Sequence, residues 1–120
     1  RKAVSDHDIV LPAGADDRDY LEKVAHCINI AKQFNPDLIL YQAGVDGLST
    51  DSLGKLDVSR GGMDKRNKMV FDMIVDHTIP TVVFMGGGYS KPISHTIDAF
   101  YDLFSAAAEA NNRFTRTQGE

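Results

Sequence analysis

The stretch that decides the fold is residues 38–54, which read Leu-Ile-Leu-Tyr-Gln-Ala-Gly-Val-Asp-Gly-Leu-Ser-Thr-Asp-Ser-Leu-Gly. Its first four residues show no polar alternation, which is typical of a parallel-sheet strand that is covered on both faces. A polar loop of roughly 15 residues follows, and loops of this length in compact domains are usually functional or disordered. The first acidic residue of the loop, Asp46, comes just past the carboxyl end of the strand, where open α/β sheets place their chemistry.

A second apolar run, residues 81–85, ends in three glycines that are followed by Tyr89. The carboxyl ends of parallel strands lie along the same edge of a sheet. Because Asp46 and Tyr89 each follow such a strand end, we expect an acid and a phenol to form two halves of one site.

Three segments with helical periodicity flank these strands. The first begins with acidic residues and ends at Asn35-Pro36, and Ser59 is the predicted N-cap of the second. Their predicted apolar faces are Tyr20, Leu21, Val24, Ile28 and Ala31 in the first, Met63, Arg66, Val70, Met73 and Ile74 in the second, and Ile93, Ile97, Phe100, Tyr101 and Phe104 in the third.

The order of helix, strand, helix, strand and helix predicts an α/β fold with parallel strands joined by crossovers. Residues 8–11 add a short apolar stretch, which we interpret as a further strand or an extended arm. A parallel sheet of two or three strands leaves apolar surface and a strand edge uncovered. The chain is therefore expected to be part of a larger sheet.

The composition excludes several classes of protein. The length of 120 residues suits one modest domain, and the formal net charge of −4 without a Lys/Arg cluster argues against direct nucleic-acid binding. No apolar run approaches the ~20 residues of a membrane span, and the sequence shows no signal-peptide core. These features predict a cytoplasmic protein that does not bind membranes.

Cysteine and histidine give no local metal motif. The single cysteine, Cys27, excludes an internal disulfide and a cysteine-based zinc site, and its apolar neighbours predict a buried structural thiol. The four histidines do not occur in the spacings of known zinc motifs; they are His7, His26, His77 and His95.

Each acidic residue of the loop after the first strand also has a structural interpretation. Asp commonly binds its own backbone in loops, so Asp46 is either a functional acid or a turn-stabilising one, and the structural reading is stronger for Asp51 and Asp57. The neighbouring glycines predict tight bends or positive φ angles around the acid; they are Gly44, Gly47 and Gly54.

The turn after the second strand has three interpretations. It is a plain strand-to-helix turn, an anion-binding nest, or the rim of a site at which Tyr89 donates a hydrogen bond to a developing oxyanion. The glycines lack the spacing of nucleotide-binding loops, which weakens the nucleotide reading. Tyr89 can also be a core aromatic whose hydroxyl is satisfied.

Taken together, the motifs resemble those of the histone deacetylase and acetylpolyamine amidohydrolase family of zinc amidohydrolases. Residues 36–40 and 43–46 are similar to the strand and metal-binding loop of the family, and residues 86–89 are similar to its catalytic turn. The resemblance runs from about Ile9 to Ala107, and residues 63–71 look closest to the class IV branch.

This resemblance implies the fold. Residues 1–110 would form the C-terminal portion of a partial three-layer, doubly wound parallel sheet of the arginase/deacetylase type. Residues 111–120 are expected to be a frayed tail, because they offer little that could pack.

The resemblance also implies roles for individual residues. Asp46 would be one of three zinc ligands, and Tyr89 would stabilise the tetrahedral oxyanion. The narrow channel that admits an acetylated lysine or amine would be shaped by Gly86, Gly87 and Gly88.

Two motifs of the family are not found in the sequence, namely an adjacent His-His pair and the Asp-x-His zinc ligands, for which residues 6–8 have the wrong spacing. We therefore expect a C-terminal fragment of a zinc-dependent deacetylase that is inactive as an isolated chain. One alternative is a non-catalytic interaction module that self-associates through its exposed sheet edge. The other is a small phosphate- or nucleotide-binding domain that uses the glycine turn.

Overall fold

A computed structural model describes residues 4–118 of the chain and confirms the predicted order of elements. The two strands pair in parallel, with Ile39 opposite Thr81 and Gln42 opposite Phe84. Residues 8–11 form no strand. The elements are α1 (Asp17–Phe34), β1 (Ile39–Gln42), α2 (Arg60–Asp76), β2 (Thr81–Phe84) and α3 (Ser94–Gln118).

The ends of the first two helices follow from the sequence. Asp16 caps α1 and forms a reciprocal capping box with Asp19, while Asn35 ends the helix in a left-handed conformation with φ of 54°. Ser59 accepts a hydrogen bond from the Gly62 N–H, which confirms it as the N-cap of α2.

The hydrophobic core lies between one face of the sheet and the helices. Ile39, Tyr41 and Val83 on that face pack against a cluster of buried residues from α2, α3 and the loops. On the opposite face, Leu40 is 67% exposed and Val82 is 51% exposed. The prediction that the first strand is covered on both faces was therefore wrong for residues 4–118, because no described element lies over the second face.

The last helix buries a different face from the predicted one. Its buried residues are Thr96, Ala99, Phe100, Leu103 and Ala110, whereas Ile93, Ile97 and Tyr101 are exposed. The face of α3 that packs on the core therefore carries Phe100 and Leu103 beside small residues, while Ile97 and Tyr101 lie on the outer side. Of the predicted stripe, only Phe100 is buried.

The helix α3 also continues through residues 111–118, where the sequence predicted a frayed tail. Arg113 explains part of this extension, because its guanidinium lies 3.1 Å from the Asp72 carboxylate of α2 and 2.9 Å from that of Glu109 one turn earlier. The remainder of the predicted tail, residues 119–120, lies outside the described residues.

The helix α1 is only partly covered within residues 4–118. The helix contributes no fully buried residue, and Cys27 is exposed, although partial burial raises the pKa of its thiol. The prediction of a buried thiol was wrong, because within residues 4–118 Cys27 lies at an open groove between α1, β1 and α2. In the same part of the chain, no helix combines the length and the apolar character that crossing a membrane requires.

Two loops beyond the carboxyl ends of the strands are bound to each other. The Thr50 hydroxyl donates to the Ser90 hydroxyl at 3.0 Å, and the Lys91 N–H donates to the Thr50 carbonyl at 3.0 Å. The Ser52 N–H donates to the Tyr89 carbonyl, also at 3.0 Å. We call residues 50–52 and 89–91 the loop clasp.

The Asp51 carboxylate lies at the centre of the loop clasp and is 8% exposed. One of its oxygens accepts from the Tyr89 N–H at 2.6 Å, and the other accepts from the N–H groups of Leu53 and Gly54 at 2.9 and 2.7 Å. Burial by itself would raise the pKa of Asp51, but these three donors together hold its pKa below the ordinary value.

Replacing Asp51 with Asn should remove part of the acid sensitivity of the fold. Because the pKa of Asp51 is lower in the folded protein than the unfolded value of about 3.9, its stabilising contribution is complete above that value and is lost as the pH falls through the folded pKa. In urea unfolding, the free-energy difference between the native sequence and Asp51→Asn should be largest near neutral pH and shrink below about pH 4.

The matched control for that experiment is Asp57→Asn, which changes an exposed acid of the same loop. It is expected to alter the free energy of unfolding little at any pH, within about 0.5 kcal/mol. A free-energy difference for Asp51→Asn that is the same from neutral to acidic pH would contradict the account of its charge.

Candidate active site

Backbone pairing beyond the strands brings Asp46 and Tyr89 to the same edge of the sheet. The Ala43 N–H donates to the Phe84 carbonyl at 3.0 Å, and the Val45 N–H donates to the Gly87 carbonyl at 2.7 Å. The two segments of backbone that follow β1 and β2 therefore stay side by side up to the residue before Asp46.

Gly87 borders both candidate side chains. A Cβ atom built on Gly87 would be 3.2 Å from Oδ2 of Asp46 and 3.6 Å from Cε2 of the Tyr89 ring. The carboxylate and the ring thus lie against the same small patch of backbone, as their positions after neighbouring strands predicted. Among residues 4–118 both side chains are exposed, Tyr89 by 55%.

The other two glycines of the turn face the packed interior. A Cβ on Gly86 would lie 2.9 Å from the Gly44 backbone, and one on Gly88 would lie 2.7 Å from a methyl group of Val45 and 2.9 Å from one of Thr96. Gly86 and Gly88 therefore permit close packing behind the site, while Gly87 is the one of the three that borders both site side chains. A role for the three glycines in a substrate channel stays a prediction.

Glycines of the Asp46 loop are needed for close approach rather than for special backbone angles. A Cβ on Gly54 would clash with the Asp46 carbonyl oxygen at 1.9 Å, and only a shift of the backbone could remove the clash. Among residues 4–118, the glycine with positive φ is Gly14. The prediction of positive φ angles at Gly44, Gly47 or Gly54 was therefore wrong, and the alternative of a tightly packed loop accounts for Gly54.

Arg66 supports the same loop from behind. Its guanidinium is buried, and Nη1 donates to the Gly44 carbonyl at 2.5 Å and to the Tyr20 hydroxyl at 3.3 Å. A charged group held in this way fixes the backbone just before Asp46. In the sequence, Arg66 was predicted only as part of an apolar helix face. An arginine is unusual in that position, which indicated that it binds a buried polar partner.

A second tyrosine, Tyr41, has a buried hydroxyl, unlike Tyr89. Tyr41 stacks edge-on against Phe71 with ring centroids 6.0 Å apart, and burial raises the pKa of its phenol to about 12. Its hydroxyl is buried and has no hydrogen-bond partner within residues 4–118. Tyr41 is therefore a neutral core residue, whereas Tyr89 presents its phenol at the rim.

The described residues do not form a complete metal site. Within residues 4–118, no three side chains of His, Cys, Asp or Glu come together as metal ligands. Catalytic zinc sites have three protein ligands, and Asp46 offers one carboxylate. The zinc role of Asp46 stays a prediction, and the described residues do not supply the other ligands beside it.

The histidines and the helix geometry limit the remaining interpretations. His26 is exposed on α1, His77 caps the C-terminus of α2, and His95 lies in the first turn of α3. Because α3 begins at Ser94, the glycine turn does not form a helix N-terminus. A phosphate bound at the glycine turn would therefore not be stabilised by a helix dipole, which weakens the anion-nest interpretation.

Comparison with known proteins gives a consistent result. The model of the histone deacetylase domain family matches residues 2–102. The chain is 38% identical over 109 residues to an uncharacterized protein of Picosynechococcus sp.. That alignment covers 90% of this chain and 36% of the relative. The chain is 33% identical to histone deacetylase 2 of Arabidopsis thaliana, covering 77% of this chain and 24% of that protein. The chain therefore spans well under half of the length of these curated relatives.

The fold is shared with a solved structure, an acetylpolyamine aminohydrolase from Burkholderia pseudomallei. The TM-score is 0.66 at 20% sequence identity, with 80% of this chain and 26% of that chain covered. The two-stranded parallel sheet and its helices are thus part of the deacetylase type of α/β fold, as predicted. On the strength of the family match over residues 2–102, the chain belongs to the histone deacetylase domain family.

Proposed function

We propose that the chain carries part of the active site of a zinc-dependent deacetylase that hydrolyses acetyl-lysine or acetyl-amine amides. In this proposal Asp46 is one ligand of the zinc ion, and Tyr89 donates a hydrogen bond to the oxyanion of the tetrahedral intermediate. The observation that carries it is the shared position of both side chains against Gly87.

The chemistry of the two side chains suits such a reaction. A phenol is a hydrogen-bond donor, and a donor aimed at the oxygen that becomes negative stabilises the transition state more than the substrate. A carboxylate close to it supplies a hard oxygen ligand for a divalent cation. When bound, the zinc ion would polarise the amide carbonyl and activate water.

The remaining ligands and the base would come from the rest of the deacetylase domain. This part of the proposal is supported by the single candidate ligand in the described residues and by the small share of the curated relatives that the chain spans. We call this chain together with the rest of the domain the complete domain. The isolated chain is accordingly proposed to be inactive.

The isolated 120-residue chain is expected to bind zinc weakly, because one carboxylate cannot close the first coordination shell. Calorimetric titration of the purified chain with Zn²⁺ measures this directly, and Asp46→Asn should abolish whatever weak binding occurs there. Tight stoichiometric binding by the isolated chain would contradict the proposal that the site is shared.

In the complete domain, Tyr89→Phe should lower kcat by about 100- to 1,000-fold, the usual effect of losing one oxyanion donor. KM should change little, because the hydrogen bond forms in the transition state and not with the ground-state amide. Steady-state kinetics on an acetyl-lysine peptide and on an acetylated diamine measure both constants and compare the two substrate classes.

The matched control is Tyr101→Phe, which removes a hydroxyl from an exposed tyrosine of α3. This variant is expected to keep the native kcat. If Tyr89→Phe also retained the native kcat, the phenol would have no part in the reaction.

A further inference from the structure

The backbone of Tyr89 is held on both sides by the loop that carries Asp46. Its N–H donates to Oδ2 of Asp51 at 2.6 Å. Its carbonyl accepts from the Ser52 N–H at 3.0 Å and from the Ser52 hydroxyl at 2.8 Å. Both polar groups of the Tyr89 backbone therefore have partners within residues 51–52.

Within residues 4–118, little packs against the Tyr89 ring to orient it. With 55% of the residue exposed, the direction of the side chain depends on where the backbone places its Cα–Cβ bond. Hydrogen-bond donors in active sites must be held within about half an ångström of the productive position. The hydrogen bonds of the Tyr89 backbone are therefore what fixes the position of this residue.

The second oxygen of Asp51 reaches the Asp46 side of the site. Oδ1 accepts from the N–H groups of Leu53 and Gly54, and Gly54 packs against the carbonyl of Asp46 so closely that a Cβ there would clash at 1.9 Å. One carboxylate thus connects the backbone of Tyr89 with the segment that lies on the backbone of Asp46.

We propose that Asp51 is a positioning residue for the reaction, which sets the Tyr89 phenol relative to Asp46 without touching the substrate. The inference rests on the proposed function, since it assigns Asp51 an effect on turnover through Tyr89. A role that is only structural would make Asp51 important for folding but not for the rate of the folded enzyme.

An amide cannot replace this carboxylate. Both oxygens of a carboxylate are acceptors, whereas Asn has one oxygen acceptor and an NH₂ group that only donates. In Asp51→Asn, the amide oxygen can face either the paired N–H groups of Leu53 and Gly54 or the single N–H of Tyr89. The NH₂ group of the amide then faces the remaining N–H group or groups, and two donors cannot bind each other. Because the Leu53 and Gly54 side offers two hydrogen bonds and the Tyr89 side one, the hydrogen bond to the Tyr89 N–H is the one expected to be lost.

The test is a double-mutant cycle on the complete domain, with Asp51→Asn, Tyr89→Phe and both together. Asp51→Asn is expected to lower kcat by roughly 10- to 100-fold, the loss that a small misplacement of a catalytic group causes, with KM nearly unchanged. On the Tyr89→Phe background, Asp51→Asn should have almost no further effect on kcat, because the group that it positions is gone.

Asp57→Asn is the matched control, because it neutralises an exposed acid of the same loop and should leave kcat at the native level. If Asp51→Asn lowered kcat by the same factor with and without the Tyr89 hydroxyl, or did not lower it at all, the positioning role would be overturned. If Tyr89→Phe retained the native kcat, the proposed function of Tyr89 would fail first, and the two failures are therefore distinguishable.

A second variant keeps the test decisive if Asp51→Asn does not fold. Ser52→Ala removes one hydrogen bond to the Tyr89 carbonyl without changing a charge, and should lower kcat by about two- to tenfold. This loss should disappear on the Tyr89→Phe background, and a loss that persists there would count against positioning through the Tyr89 backbone. Hydrogen exchange at the Tyr89 amide should be faster in Asp51→Asn than in Asp57→Asn, and equal rates would overturn the proposed hydrogen bond.

Discussion

The Asp51 carboxylate holds the two loops of the site in one arrangement, and the positions of the other site residues depend on it. Three backbone N–H groups from two distant parts of the chain converge on its two oxygens. Hydrogen bonds to a charged acceptor are stronger than neutral ones, and a buried carboxylate without its donors is costly. These hydrogen bonds therefore favour the closed arrangement of the two loops, in which Asp46 and Tyr89 both lie beside Gly87.

Close packing reinforces this arrangement from behind, while the outer surfaces of the chain stay open. Gly86 and Gly88 let the turn approach the Gly44 backbone and the core, and Arg66 binds the Gly44 carbonyl. In contrast, the second face of the sheet and the outer side of α3 both expose large apolar residues within the described part of the chain. Such surfaces suit a segment that packs against the rest of a larger domain, in agreement with the share of the curated relatives that it spans.

Local patterns in the sequence predicted the elements and the meeting of the two candidate residues. The apolar runs, the Ser59 cap and the position of Asp46 and Tyr89 after neighbouring strands depend on a few adjacent residues, which a sequence displays directly. The Asp51 contact with Tyr89 joins residues that are 38 positions apart, so it was read only as a local turn. The buried face of α3 and the exposure of Cys27 were predicted wrongly, because periodicity shows an apolar face but not which neighbour covers it.

The central claim is that Asp46 and Tyr89 serve one metal-dependent reaction in the complete domain. Anomalous diffraction at the zinc edge, from crystals of that domain with an acetyl-lysine peptide analogue, tests it most directly. We predict a zinc ion about 2.0–2.2 Å from an Asp46 carboxylate oxygen, with the Tyr89 hydroxyl within hydrogen-bond distance of the acyl oxygen of the ligand. Zinc bound without Asp46, or a Tyr89 phenol directed away from the acyl group, would contradict it.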